Sequence, residues 1–266
     1  MPKRSPINAP FVLAVFVSGV ILGTVLACNL LLIVGLPAQS AAPTATPSQP
    51  VAIVQPRSAS ARIVGISAET GEGILGTATV ELVPGRGRIL ISTNPFIEPD
   101  TQQSVGVAKA VAENFTGLSL ETVDIIASFN LPDEDLEGQV IGGPSAGAAL
   151  ALAIAAAAQN KSVRRDVAIT GAILPNGKIG AVGGILEKAR AAGKAGMALF
   201  IVPHGQSETR YYEKTEERQT MNGFSILRIS YVPRTLTLND YTKQWNMTTV
   251  EAYDISEAAR YAITSK

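Results

Sequence analysis

The chain has 266 residues, 46% of them hydrophobic, and its 22 basic and 22 acidic residues cancel to zero net charge. That length allows one or two domains with a sizeable core, and neutrality without a basic stripe excludes a general nucleic-acid binder. A single cysteine, Cys28, and a single histidine, His204, exclude a disulfide framework within the chain and a centre built from Cys or His ligands. No metal or cofactor is expected.

Residues 11–36 are almost wholly apolar, broken only by Ser18, Thr24, Asn29 and a few glycines. About 20 such residues span a hydrocarbon core, so 11–36 is predicted to be a transmembrane helix. A buried core helix would show a polar face, and this segment has none. Lys3 and Arg4 precede it and no charge follows until Arg57. The positive-inside rule then places residues 1–10 in the cytoplasm and the rest of a single-pass protein outside the cell membrane. Two alternatives compete: a cleaved signal peptide, whose apolar region is usually shorter, and a lipoprotein box at Val25-Leu26-Ala27-Cys28. Residues 37–61 are rich in Pro, Ala, Ser, Thr and Gln and read as an extended linker.

The folded part is expected from about Arg62. Strands are predicted over 61–68, 76–83 and 88–92, the last two joined as a hairpin by Pro84-Gly85-Arg86-Gly87. A helix follows from an Asp100 N-cap to about Asn114, with Val105, Ala108, Val111 and Ala112 on one face. Residues 122–130 read as a strand and 131–140 as an acidic loop carrying Asp133, Glu134, Asp135 and Glu137. A helix over 145–158 is apolar nearly all round, hence buried. A strand over 167–173 turns at Pro175-Asn176-Gly177. A helix runs over 185–193, and a short buried strand over 198–202. Residues 207–248 form a polar, aromatic insertion, and 250–263 return to an apolar–polar helical pattern. This mixed order predicts an α+β fold of mixed sheets packed with helices.

Two segments carry chemistry: Gly142-Gly143-Pro144-Ser145-Ala146-Gly147 and Gly183-Gly184-Ile185-Leu186-Glu187-Lys188. In the first, Gly142 and Gly143 open backbone conformations closed to other residues, and Pro144 sets the chain for a helix start. Unpaired N–H groups there could bind an oxyanion. An N-cap serine is the plain alternative. A serine needs a base, and Lys188, on an apolar Ala-rich helix, could serve if burial lowers its pKa. A solvated lysine is the plain alternative. A Ser–His–Asp triad would need His204, which follows a predicted strand and reads as a loop residue.

These blocks, together with Arg164-Arg165-Asp166-Val167-Ala168-Ile169-Thr170-Gly171 and Val80-Glu81-Leu82-Val83-Pro84-Gly85-Arg86-Gly87, resemble the proteolytic domain of Lon proteases in order and spacing. The resemblance implies such a domain over 62–266 and a Ser–Lys dyad serine endopeptidase. In it Ser145 attacks, Lys188 moves the proton, Thr170 orients the lysine amine, and amides near Ser145 and Ala146 meet the oxyanion. Gly143 supports the turn. Lon domains often carry an acidic residue where this chain has Gly142, and a glutamate near Gln103; both departures remove charge. These 266 residues also hold no Gly-x-x-x-x-Gly-Lys-Ser/Thr phosphate loop.

The expectation is therefore a membrane-anchored peptidase acting without its own ATPase on unfolded or extended polypeptides. Its partners would be those polypeptides, the bilayer through 11–36, and further copies of the chain, with 207–248 as a candidate oligomer contact or cleft cover. A non-catalytic membrane adaptor with the same fold is the alternative. Asn114-Phe115-Thr116 and Asn246-Met247-Thr248 are glycosylation sequons that a domain outside the cell could use.

Overall fold

The alternating residues of Gly73–Pro84 bury Ala78, Val80 and Leu82 on one face, while Thr77, Thr79 and Glu81 turn away. That period of two makes the strand an interior member of a sheet with one face in the core. In the computed structural model, which describes residues 49–51, 53–132, 140–221 and 224–265, it is the second of the nine strands that build the main sheet and a long arm, shorter strands pairing two by two elsewhere. The nine are β1 (Arg57–Ile66), β2 (Gly73–Pro84), β3 (Ile89–Ile91), β4 (Val123–Asn130), β5 (Val167–Ile169), β6 (Leu199–Pro203), β7 (Glu208–Met221), β8 (Phe224–Thr237) and β9 (Thr248–Ala252). Five helices accompany them: α1 (Pro99–Thr116), α2 (Gly147–Ala158), α3 (Ile185–Lys194), α4 (Leu238–Thr242) and α5 (Ile255–Ala262).

Seven strands form one mixed sheet in the order β9-β6-β5-β1-β2-β4-β3. The run from β9 to β1 is parallel, β1-β2 and β2-β4 are antiparallel, and β4-β3 is parallel. Ala59, Ala61 and Ile63 of β1 face the core shared with α1, α2 and α5. Val64, on the opposite face, joins Ala168, Phe200 and Val202 beneath α3 and α4. The α+β expectation of mixed strands and helices therefore holds. Every residue of α2 is buried. Its alanines let β1, β2 and α1 approach closely, which explains a helix with no polar face.

Several boundaries differ from the sequence reading. The hairpin expected between 76–83 and 88–92 does not form. β2 pairs instead with β1 and β4, and β3 lies on the far side of β4. The cause is Asp124. Its carboxylate accepts the Arg86 and Arg88 backbone N–H groups at 2.8 and 2.9 Å, and the Arg88 guanidinium at 2.8 Å, which pulls the 84–88 turn across β4. The 37–61 linker is too long: β1 begins at Arg57, Val51 and Ile53 are buried, and Gln49–Pro50 pairs with Leu118–Ser119. The 167–173 strand breaks at Thr170-Gly171 into β5 and a short Ala172–Ile173 strand, which pairs back with Ile179–Gly180 across the Asn176-Gly177 turn. The 250–263 pattern divides into β9 and α5, because β-branched Thr248, Thr249 and Val250 suit a strand. Within 207–248, β7 and β8 make a long two-stranded arm.

The predicted transmembrane segment 11–36 and most of the acidic loop lie outside the described residues. Among the described residues no helix is long and apolar enough to cross a membrane.

Candidate active site

The site is assembled where three segments meet. The first is the turn ahead of α2. Phe96–Ile97 pairs in parallel with Val140–Ile141, and the Glu98 N–H continues the ladder onto the Ile141 carbonyl at 2.9 Å. This lays the start of α1 beside the glycines that lead to Ser145. Gly143 takes φ 85° and ψ 149°, a conformation that side chains resist. Pro144–Ala146 then makes one tight 3-10 turn into α2. Ser145 is half-buried in that turn. It caps neither the turn nor α2, whose flanking positions are Gly143 and Ala146 and carry no side-chain cap. The N-cap alternative therefore fails.

The second segment is the break between β5 and Ala172. The Gly171 N–H donates to the Ser145 carbonyl at 2.9 Å, and the Ala148 N–H donates to the Gly171 carbonyl at 3.0 Å. Thr170, 1% exposed, is held at the end of β5 by its own N–H on the Ile201 carbonyl. The third segment is the first turn of α3, entered through Gly184 in a left-handed conformation. It delivers Lys188, whose side chain is aimed inward and only 4% exposed. The Lys188 Nζ donates to the Thr170 Oγ1 at 3.3 Å. Burial lowers the lysine pKa to about 8, because a charged amine loses its hydration there. The solvated-lysine alternative fails on the same observation.

Ser145 and Lys188, 43 residues apart in sequence, are thus both fastened to the Thr170-Gly171 pair. One is held through its backbone and the other through its amine. A buried amine whose pKa is lowered in this way can accept a proton from its neutral form. His204 lies elsewhere in its contacts. It is exposed, with Nδ1 3.0 Å from Glu251 Oε2 and its ring edge-on to Tyr253. Among the described residues no group of acidic, Cys or His side chains is placed to hold a metal.

Sequence reasoning missed the residues around Gly142 and Gly143. Asp100 is not the N-cap of α1. That position is Glu98, and its side chain makes no cap. The Asp100 Oδ2 instead accepts the Gly143 N–H at 3.0 Å, and the Thr101 hydroxyl donates to the Gly143 carbonyl at 3.0 Å. A Cβ placed on Gly142 would collide with the Glu98 carboxylate. The acid missing at position 142 therefore has a counterpart in space, contributed by a residue 44 positions earlier. Gln103 is exposed. Nothing in the local sequence flags these contacts, since an Asp-Thr pair at a helix start looks like ordinary capping.

Comparison with known proteins finds one family throughout. Residues 136–229 match the Lon protease (S16) C-terminal proteolytic domain. The chain is 31% identical over 140 residues to Lon protease 1 of Myxococcus xanthus, a stretch covering 51% of this chain and 16% of that protein. It is 28% identical over 146 residues to the Lon protease of Mesomycoplasma hyopneumoniae, covering 53% of this chain and 16% of that protein. A shorter stretch of 62 residues, 23% of the chain and 8% of the relative, is 48% identical to Lon protease 2 of Syntrophobacter fumaroxidans. The chain spans about a sixth of the length of the first two Lon proteases. The Lon resemblance read from the sequence blocks stands, and the mixed α+β architecture is consistent with it.

Proposed function

We propose that the chain is a membrane-anchored serine endopeptidase of Lon type that cuts peptide bonds with a Ser145–Lys188 dyad. The observation that carries this reading is the buried Lys188 amine, 3.3 Å from Thr170 Oγ1, with its pKa lowered to about 8 by burial. In the proposed reaction, neutral Lys188 takes the Ser145 hydroxyl proton as Oγ bonds to the scissile carbonyl carbon. The carbonyl π pair moves to oxygen, where the Ala146 N–H and its neighbours in the turn stabilise it. The intermediate collapses, the C–N bond breaks, and Lys188 returns the proton to the leaving amine. Water then repeats the sequence on the acyl-enzyme, with Lys188 again as base.

Substrates would be unfolded or extended polypeptides, which need no unfolding step to reach the turn that holds Ser145. The 11–36 segment would hold the domain at the outer face of the cell membrane. The β7–β8 arm exposes Leu227, Ile229 and Tyr231 and would contact further copies of the chain.

The test uses the full chain in detergent micelles with casein as substrate. Wild type should cleave, and Ser145→Ala and Lys188→Ala should each abolish cleavage. Equal cleavage by all three would sink the dyad. Intact, unprocessed casein with wild type would favour the non-catalytic adaptor, for which Gln103, an amide in place of a glutamate, speaks. Retention of the chain in the membrane pellet after alkaline extraction checks the anchor, and release into the supernatant would refute it.

A further inference from the structure

We infer that Asp100 and Thr101 are positioning residues that set Ser145 through Gly143, an inference that rests on the reading of Ser145 as nucleophile. Glycine has little conformational preference of its own, so Gly143 reaches φ 85° and ψ 149° only if something selects that state. Two adjacent side chains hold both of its polar groups. The Asp100 Oδ2 takes its N–H at 3.0 Å, and the Thr101 Oγ1 gives a hydrogen bond to its C=O at 3.0 Å.

The grip is itself fixed. The Asp100 Oδ1 accepts the Thr101 N–H at 2.7 Å, which sets the carboxylate plane. The Ser104 hydroxyl donates to the Asp100 carbonyl at 3.0 Å, and Thr101 is fully buried. The segment carrying both residues is tied to 141 by the Glu98 N–H and to itself by the Gln102 amide on the Ile97 carbonyl.

Downstream of Gly143 there is little slack. Pro144 has a locked φ, and Ser145 follows in a 3-10 turn whose carbonyl is held by Gly171. The direction of the Gly143 peptide is therefore passed to the serine. The first turn of α1 does not need this grip for its own sake, since a carboxylate there already suits the helix dipole.

The test is kinetic and structural, on the full chain in micelles with a fluorogenic peptide. Asp100→Ala and Thr101→Val should each lower kcat by about 10–100-fold, the cost of a misplaced nucleophile, with KM changed less than about twofold and the pH midpoint unmoved. Asp100→Asn keeps an acceptor oxygen and Thr101→Ser keeps the hydroxyl, so both should stay close to wild type. Because both residues hold one glycine, the double variant should be little worse than either single one. Hydrogen exchange at the Gly143 amide should accelerate in Asp100→Ala.

Wild-type kcat in Asp100→Ala and Thr101→Val, with Ser145→Ala inactive, would overturn the positioning role and leave the dyad standing. So would equal loss in Thr101→Ser and Thr101→Val, which marks a packing defect. Should Ser145→Ala keep full activity, the dyad falls, and with it the catalytic meaning of the grip. The grip itself is refuted by unchanged exchange at Gly143.

Discussion

Replacing Lys188 with Met separates the cost of burying the amine from its use. The pKa falls from the ordinary 10.5 to about 8 because burial disfavours the charged form. At 1.36 kcal/mol per pH unit, and discounting for water reaching the amine through the site, the protonated lysine costs the folded state roughly 2–3 kcal/mol near neutral pH. Methionine has similar length and no charge. It forfeits the hydrogen bond to Thr170, worth about 1 kcal/mol. The variant should therefore be about 1–2 kcal/mol more stable than wild type at pH 6.5, or about 3–6 °C in Tm for a domain of this size, while losing all cleavage. The direction with pH follows from linkage. Between pH 8 and 10.5 the unfolded chain holds the lysine proton and the folded chain does not, so wild-type stability rises with pH there. The advantage of methionine must then shrink, vanish roughly one pH unit above the folded pKa, and reverse toward pH 10.5, where only the lost hydrogen bond remains. Urea midpoints of both proteins at pH 6.5 and 9.5 measure this, because other titrating groups cancel in the difference. From pH 7 to 9 kcat/KM of wild type should rise about tenfold as the neutral amine fraction grows through the lowered pKa. A variant destabilised equally at both pH values, or a flat rate profile, would refute the account of Lys188 as a desolvated base.

Asp124→Ala should lower the melting temperature and free the 84–88 turn, because four N–H groups lose their acceptor. The Arg88 guanidinium and the Arg86 and Arg88 amides hold the Asp124 carboxyl below the usual carboxylate range. The stability it contributes is present above its unfolded pKa and is lost as pH falls through the folded value. The gap between wild type and variant should therefore close in acid, and a pH-independent gap would count against this ion pair. Gly142→Leu should drive the Glu98 carboxylate away from the turn and reduce kcat more than Gly142→Ala does. Equal rates in both would show that the space is not restrictive. Excising 208–237 with a short Gly-Ser bridge should leave the core intact, since a two-stranded arm adds little to it, and should reduce the oligomer mass measured by light scattering. An unchanged mass would remove the arm from the assembly.

How much could be read from the residues differs by element. The α2 helix was legible because its unbroken apolar character admits only burial, and the Ser145, Thr170 and Lys188 blocks were legible as words at known spacing. The β2–β3 hairpin was misread because Pro84-Gly85-Arg86-Gly87 specifies a turn but not the strand it leads to. Asp124, some 36 residues on, decides that. The break at Thr170-Gly171 was hidden inside an apolar run that reads as one strand.

The sequence by itself determined the alternation that builds the sheet, the all-buried helix behind the site, and the residue types able to form a Ser–Lys pair. Local pattern suffices for these, because burial and turn chemistry act over a few residues. Only the tertiary structure decided that Lys188 is buried and that Thr170-Gly171 holds both it and Ser145. It also decided that Asp100, Thr101 and Glu98 close around Gly142 and Gly143. Those facts depend on desolvation and on hydrogen bonds between segments some 18 to 44 residues apart, which no short-range pattern encodes.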